Sequence, residues 1–403
     1  MLKLALRNIF RQKTRTSTTL GAIVFGVLGL ILSGGFVEDI YVQLREATIH
    51  SQLGHVQIQK AGHTELGRTN PYAYMIDNPN KLAARVKAIP RVSDILQRVE
   101  FSGLITSGRA DLPIVGEGVE PDKESALGTF ITVISGRQLS DSDDFGILVG
   151  QGVAGALKLE PGQFATIMVS TPDGALNSLE FEVIGVFRTF SKNYDDRAVR
   201  IPLRAAQDLL VSNNIHSVIL SLDGTEATDA VTARLRDELS PSEFEVHAWH
   251  ELAHFYQQTV ALYQRQFGMF QLIILVMVLL SVANSVNLAI FERTGEFGTL
   301  MALGNSRKDV FMLILAEYAV LGVVGGSIGA VLGIALAWGI TEIGIPMPPP
   351  PNSNSGYSAH VRIVPWVIGM AWGVGTVATW LAAILPARRA SRLPVVDALR
   401  QNI

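Results

Sequence analysis

The residues with the clearest chemical spacing are two histidines and a glutamate near the middle of the chain. His250-Glu251-Leu252-Ala253-His254 reads H-E-x-x-H. On a helix, histidines four residues apart lie on one face and can bind zinc, while the glutamate acts as a general base. The pattern therefore raises a membrane metalloprotease as one hypothesis.

A third zinc ligand is missing where known arrangements place it. Gln257 and Val260 stand where a metzincin has glycine and histidine, and the next acidic residue is Glu292. We therefore expect no metal site, keep His250 and His254 as candidate ligands only, and leave the metalloprotease as a remote alternative.

We interpret this segment instead as part of a helix. Residues 250–268 contain no proline, and glycine appears only at the end, so they predict one continuous helix that runs into an apolar segment. The histidines and Glu251 would be its polar positions. The predicted packing positions are Trp249, Leu252, Phe255 and Tyr256.

Other catalytic motifs are excluded by context. Gly325-Gly326-Ser327-Ile328-Gly329 matches G-x-S-x-G, but it lies inside an apolar run and not in a strand–turn–helix. The dipeptide Gly-Lys never occurs, so the chain lacks the phosphate-binding loop of P-loop ATPases. There is no cysteine, which excludes disulfides and thiolate catalysis.

Composition indicates an integral membrane protein. Of 403 residues, 48% are hydrophobic and 17% charged, and the mean hydropathy is +0.30. The net charge of -3 argues against a nucleic-acid partner.

A bilayer span needs about 20 apolar residues. The segments that meet this length are Thr18–Val37, Met269–Ile290, Val310–Ile340 and Ile363–Leu385.

Basic residues set the predicted orientation. Residues 1–16 and the tail after the fourth segment are rich in Lys and Arg, whereas the loop at about 341–362 has only Arg362. Positive charge favours the cytoplasmic side, so both termini are expected in the cytoplasm and the large insertion outside it. The first segment could alternatively be a signal peptide, but the later spans would still hold the chain in the membrane.

The expected fold is a membrane protein with four transmembrane helices and a large α+β extracytoplasmic domain between helices 1 and 2. Alternating apolar residues predict strands at 55–59 and 181–186, and helical spacing predicts helices at 80–89 and 226–239. We expect two lobes, near 50–115 and 145–245.

The predicted segments are a cytoplasmic amphipathic helix (1–16), helix 1 with the start of a stalk (17–40), the external domain (41–262), the stalk end with helix 2 (263–290), a cytoplasmic coupling helix (291–309), helix 3 (310–341), a Pro-rich external loop (342–362), helix 4 (363–386) and a cytoplasmic tail (387–403).

Helix 3 is rich in glycine. Small residues at this spacing let another helix approach closely in lipid, which predicts packing within the membrane or an interface with a second copy. The glycines are Gly322, Gly325, Gly326, Gly329 and Gly333. The proline run at 346–351 is interpreted as a stiff connector.

The short turn before helix 3 carries the most specific signal. It reads E-R-T-G-E-F-G-T-L-M-A-L-G-N-S from 292 to 306, a short amphipathic helix bounded by glycine. Followed by a glycine-rich helix, this sequence resembles the coupling region of FtsX-like ABC permeases, which include lipoprotein-releasing, macrolide-exporting and divisome members. The chain also resembles that family at 4–16, 148–162, 183–187 and 386–400.

The resemblance implies a transmembrane subunit in the bacterial inner membrane. It implies that ATP and Mg²⁺ are bound by a separate ABC ATPase dimer, since no ATPase is fused here, and that a second permease subunit completes the transporter. A periplasmic adaptor, chaperone or lipoprotein would be a further partner. The coupling residues it implies are Glu292, Arg293, Glu296, Phe297, Gly298, Leu300, Leu303 and Gly304. Lipoprotein release is the expected function; tripartite efflux and regulation of an external enzyme are the alternatives.

Overall fold

The computed structural model describes residues 13–67, 69–127, 131–348, 356–392 and 394. Its first half contains α1 (Lys13–Thr48), a π-helical turn (Ile49–Leu53), β1 (Val56–Lys60), α2 (His63–Leu66), a 3₁₀ turn (Pro71–Tyr74), α3 (Pro79–Val86), β2 (Val92–Thr106), β3 (Asp111–Val119), α4 (Pro121–Leu127), β4 (Thr132–Gly136), β5 (Gly146–Gly150), α5 (Gln151–Leu157), β6 (Phe164–Ser170), β7 (Leu176–Arg188), α6 (Lys192–Asp195) and β8 (Ala198–Pro202). The second half contains α7 (Leu203–Leu210), β9 (Ser217–Leu222), a 3₁₀ turn (Thr225–Ala227), α8 (Thr228–Glu238), β10 (Phe244–Ala248), α9 (Trp249–Leu252), α10 (His254–Glu292), α11 (Thr294–Ala302), α12 (Arg307–Ile343), β11 (Ile345–Met347), β12 (Tyr357–Ala359) and α13 (Pro365–Ala390).

Two compact units divide these elements. The described residues up to Val42, from Val260 to Pro346 and from Ser358 onward form the helical unit. Residues Gln43–Thr259, together with Met347–Tyr357, form the inserted domain. The chain therefore leaves the helical unit within its first long helix and returns within its second.

Within the part of the chain that the structure describes, four helices are long and apolar enough to cross a membrane: α1, α10, α12 and α13. Each overlaps one of the four apolar segments predicted from the sequence, which confirms their order. The helices α1, α10 and α12 continue beyond both predicted ends, and α10 has 39 residues. The helix α13 begins later than predicted, at Pro365, and continues to Ala390. Most of the predicted amphipathic helix at 1–16 and of the tail at 387–403 lies outside the described residues.

The core of the helical unit forms where these four helices meet. It includes Val27 of α1, Val282 of α10, Ile314 of α12 and Ala371 of α13, all almost fully buried. The opposite faces remain apolar; Leu280, for example, is 66% exposed. An apolar outer face is typical of helices whose solvent is lipid.

A ten-stranded sheet organises the inserted domain. The strand order is β10-β1-β9-β2-β3-β8-β5-β7-β4, and β6 pairs with β2 and β7. The β3–β8 and β5–β7 pairs are parallel and the others antiparallel. In β6, buried Ala165, Ile167 and Val169 alternate with more exposed residues, the period of two expected of a sheet with one covered face.

The predicted division into lobes at 50–115 and 145–245 is wrong. β1, from the first half, lies between β9 and β10, which come from the end of the domain. Strand pairing joins residues far apart in sequence, so lobe boundaries do not follow chain order. The 15-residue β2 pairs with β9 at its start and with β6 at its end, and so joins two parts of the sheet.

Two buried histidines make the stability of the inserted domain depend on pH. His216 is fully buried, and its Nδ1 accepts a hydrogen bond of 3.0 Å from the backbone N–H of Glu100. His55 Nδ1 accepts one of 3.2 Å from the N–H of Leu222. Burial, and secondarily a neighbouring histidine, lowers the pKa of each imidazole from 6.5 to about 4.

We expect the full-length protein to lose stability as pH falls from 6.5 towards 4. In this window the unfolded chain binds protons that the folded imidazoles do not, so the free energy of unfolding decreases. The measurement is the thermal unfolding midpoint of the purified protein at pH 7.5 and pH 5. In His55→Asn/His216→Asn, whose amide oxygens can still accept both backbone N–H groups, the difference between the two pH values should shrink; an undiminished difference would contradict this assignment.

Candidate functional site: the turn between α10 and α12

The turn is built by a break, a short helix and a glycine stop. Arg293, at φ -103° and ψ 9°, interrupts the helix between α10 and α11. The Thr294 hydroxyl donates to the carbonyl of Phe291 at 2.9 Å. At the other end Gly304 has φ +99°, where a residue with a side chain would be strained by about 1–3 kcal/mol. The side chains of Ser306 and Asp309 then form a capping box that starts α12.

A buried ion pair holds the start of α11 against α12. Arg293 Nη1 donates to Glu317 Oε1 at 2.9 Å and Oε2 at 2.8 Å, and both residues are only 7% exposed. Arg293 Nε also donates to Glu296 Oε2 at 3.0 Å, and the guanidinium lies 5.1 Å from the centre of the Phe297 ring. Burial opposes the charge of Arg293, but Glu317 outweighs it, so the pKa of Arg293 is raised.

The remaining residues of α11 divide into two faces. Phe297 and Gly298 are buried, and Leu300 packs on the core of the helical unit. Glu296 is exposed, and Leu303 is 78% exposed. The exposed Glu292 and Gly304 flank the helix. The turn therefore has one face fixed to α12 and one face open, which suits a surface that receives force from a partner.

The five glycines of α12 pack inside the chain. A Cβ on Gly325 would lie 3.0 Å from Ile23, and one on Gly333 3.1 Å from Ile31, both on α1. Gly322 and Gly326 face α13 in the same way. All five glycines are buried, so this face is filled by the chain's own helices, and the predicted interface with a second permease at these glycines is not supported.

The H-E-x-x-H segment does not form one helix, so the predicted continuous helix over 250–268 is wrong. α9 ends at Leu252, Ala253 adopts φ -79° and ψ 59°, and α10 begins at His254. Glu251 accepts the N–H of Ala248 at 3.2 Å, so its side chain caps the start of the short helix α9. This break separates the two histidines that zinc would need on one helical face.

The side chains around this segment serve the packing of the inserted domain. Glu251 Oε2 also accepts a hydrogen bond of 2.8 Å from Arg236. Trp249 and Ala253 are buried against Ile49, with Tyr256 half-buried beside them. Phe255 is 43% exposed, but its ring centre lies 6.4 Å from that of Phe190. In the described part of the chain no three His, Asp or Glu side chains are grouped so as to hold a metal ion.

Two family profiles together match most of the sequence. The FtsX-like permease C-terminal profile matches residues 268–395, which include the turn and its anchor. The MacB-like periplasmic core domain profile matches residues 16–238, more than half of the chain. The chain belongs to the FtsX-like permease family. It is a permease of the ABC transporter class, and its inserted domain is a MacB-like core domain.

Relatives of this permease fall into several named groups. It is 23% identical to the lipoprotein-releasing system transmembrane protein LolC of Neisseria meningitidis, over 81% of this chain and 78% of that protein. It is 24% identical to the uncharacterized ABC transporter permease YvrN of Bacillus subtilis, over 99% and 98%. The macrolide export ATP-binding/permease protein MacB of Hyphomonas neptunium is 23% identical over 99% of this chain but only 60% of its own length.

Among solved structures, the periplasmic region of MacB from Actinobacillus actinomycetemcomitans matches the permease with a TM-score of 0.37 and 14% identity. The match covers 52% of this chain and 93% of that one.

Glu317 of α12, which anchors the turn of this permease, is the residue that sequence reasoning missed. It is one of the few charged residues within the apolar segment of α12, and an ionisable side chain inside such a segment is expensive unless paired. That cost is the signal that could have identified it. Its partner Arg293 lies 24 residues earlier, a separation that no helical spacing rule links.

Proposed function

We propose that this permease transmits the movement of a separate ABC ATPase, through α11 and α12, to the inserted domain and so releases a lipoprotein or related lipophilic cargo from the membrane. The observation that carries the proposal is the contact of Arg293 Nη1 with both carboxylate oxygens of Glu317. Since Arg293 Nε also donates to Glu296 of α11, the buried guanidinium joins α11 to α12 through charge-assisted hydrogen bonds, and displacement of α11 must move α12 or break them.

The proposed location is the bacterial inner membrane, with both termini and the turn in the cytoplasm and the inserted domain in the periplasm. The basic residues of 1–16 and of the C-terminal tail support this orientation. In this arrangement the exposed face of α11 is available to a cytoplasmic ATPase, which would bind the ATP and Mg²⁺ itself.

A dimer of permeases with two ATPase subunits is the proposed assembly. The name of the Neisseria relative supports lipoprotein release, and an adaptor, chaperone or lipoprotein would be the periplasmic partner. Efflux through an adaptor is the second candidate, because the similarity to the Hyphomonas exporter extends over 99% of this chain. Regulation of an external enzyme is the remaining alternative, and it would use the same ATPase-driven movement of α11 and α12.

The turn is tested by Glu296→Lys and Gly304→Trp in the permease reconstituted with its ATPase. We expect both variants to insert normally and to abolish the stimulation of ATP hydrolysis by the permease, because they change the charge and shape of the open face. Membrane insertion and ATPase rate are the measurements.

Each variant has a control at the far end of α12. Glu342→Lys makes the same charge change at an exposed site, and Gly344→Trp occupies a position with φ +62° and open space, as at Gly304. Both controls should keep stimulation. If all four variants stimulate the ATPase as the wild type does, the coupling role of the turn is wrong.

A further inference from the structure

Four buried charges form a cluster inside the inserted domain that neither the sequence motifs nor the coupling turn explains. Arg98 of β2, Glu117 of β3, Glu124 of α4 and Arg200 of β8 are each at most 9% exposed. Arg200 Nη2 lies 2.8 Å from Glu117 Oε2, and Arg98 Nε donates to Glu124 Oε1 at 3.0 Å. Arg200 Nη1 also lies 3.6 Å from Glu124 Oε2, so the pairs are joined. Two arginines and two glutamates leave the cluster without net charge.

Both arginines also reach the end of the first long helix. After α1, the chain makes the π-helical turn Ile49–Leu53, and the last carbonyls of a helix generally have no donor within it. Arg200 Nη2 donates to the carbonyl of Ser51 at 2.9 Å, and Arg98 Nη1 donates to that of Gln52. Cations at a helix C-terminus also offset the negative end of its dipole.

A further residue orients the cluster. The Tyr194 hydroxyl donates to Glu117 Oε1 at 2.8 Å, and burial raises the pKa of Tyr194, so the hydroxyl keeps its proton. Burial alone would raise the pKa of Glu117, but Arg200 and Arg98 outweigh it and lower that pKa. The charges of the cluster are therefore held in one arrangement around the helix end.

Stability alone does not account for this arrangement. Burying ion pairs costs about as much as their attraction returns, and apolar residues of similar volume often stabilise a core as well or better. What charged pairs add is direction, because each guanidinium fixes the angles of several hydrogen bonds at once. An apolar contact could slide; this one either holds the helix end in one orientation or breaks.

We propose that Arg98 and Arg200 are positioning residues that lock the end of α1 to the sheet of the inserted domain, so that force carried by this helix reaches the domain without slippage. Glu124 and Glu117 hold the two guanidinium groups, and the Ser51 and Gln52 carbonyls are the attachment points. This role rests on the proposed function, which supplies the force.

The test replaces one balanced pair by apolar residues in the full-length permease, reconstituted with its ATPase. Arg98→Met/Glu124→Met leaves Arg200 and Glu117 paired with each other. We expect the amides of residues 49–54 to exchange hydrogen about tenfold faster or more, since their segment has lost an anchor. The thermal midpoint should stay within about 3 °C of the wild type, because a buried pair is replaced and not broken. Stimulation of ATP hydrolysis should be lost.

The control is Arg234→Met/Glu238→Met, which removes an exposed ion pair of 2.9 Å on α8. It should change neither the exchange of residues 49–54 nor the ATPase rate. Arg98→Lys is the second variant: it keeps the charge, but one ammonium cannot replace a fork that contacts both Glu124 and Gln52. It should show an intermediate rise in exchange, and it keeps the proposal testable if the double variant does not fold.

The outcomes separate this role from the proposed function. Unchanged exchange at residues 49–54 in Arg98→Lys and in the folded double variant would overturn the attachment. Faster exchange with full ATPase stimulation would overturn its part in coupling. Wild-type permease that stimulates no ATPase would instead overturn the proposed function, while the exchange measurement would still decide whether the arginines hold the helix end.

Discussion

Glu317→Ala is expected to destabilise the permease by about 3–5 kcal/mol, because it leaves the buried Arg293 guanidinium without its carboxylate. Arg293 is 7% exposed and cannot recover this interaction from water without moving. Its remaining contacts, with Glu296 and the Phe297 ring, involve one carboxylate oxygen and one aromatic face. The start of α11 should therefore detach from α12, and ATPase stimulation should fall with it.

The measurement is the thermal unfolding midpoint of the purified permease, followed by the ATPase rate after reconstitution. Glu342→Ala is the matched control, since it removes an exposed glutamate from the same helix. Arg293→Met/Glu317→Met should recover most of the stability, because no unpaired charge stays buried, yet should not recover coupling. Equal midpoints for Glu317→Ala and Glu342→Ala would show that the buried pair does not anchor the turn.

Gly329→Leu is expected to prevent close packing of α12 on α1. A Cβ at this position would lie 2.9 Å from Val27 Cβ and 3.0 Å from the carbonyl oxygen of Val24, and the second contact is with backbone that cannot rotate away. A leucine adds three more carbons, so the helices must separate. Overpacking of this kind costs about 1–3 kcal/mol, and more where the backbone must shift.

Gly339→Leu provides the control on the same helix. A Cβ there would meet nothing within 4 Å, so the same substitution adds apolar surface without a clash. The yield of folded, monodisperse protein in detergent and the thermal midpoint are the measurements. We expect both to fall for Gly329→Leu and to stay at the wild-type level for Gly339→Leu. A similar loss for both variants would mean that the added apolar side chain itself, and not the close contact with α1, sets the effect.

These two predictions concern opposite kinds of contact at α12. Glu317 attaches the turn by charge, and Gly329 lets α1 approach by the absence of a side chain. Glu317, Gly329 and the Arg98–Arg200 cluster therefore make the contacts through which the proposed ATPase-driven movement would be transmitted.

Several of these features follow from local sequence. The four membrane helices were predicted because about 20 consecutive apolar residues suffice to identify each one. The short helix between α10 and α12 was predicted because glycine, a polar cap and an amphipathic stretch occur together between 292 and 306. The glycines of α12 predicted close packing, because their spacing places them on one helical face.

Only the tertiary structure decided which elements these residues meet. It placed the glycines against α1 and α13 of the same chain, and it inserted β1 between two strands formed about 160 and 190 residues later. It also paired Arg293 with Glu317, and brought Arg98, Glu117, Glu124 and Arg200 to one helix end. Apolar periodicity is a local property of the chain, whereas ion pairs and strand neighbours depend on three-dimensional proximity. For that reason the H-E-x-x-H spacing suggested a metal site, while the fold turned Glu251 towards Arg236 and ended the helix between the two histidines.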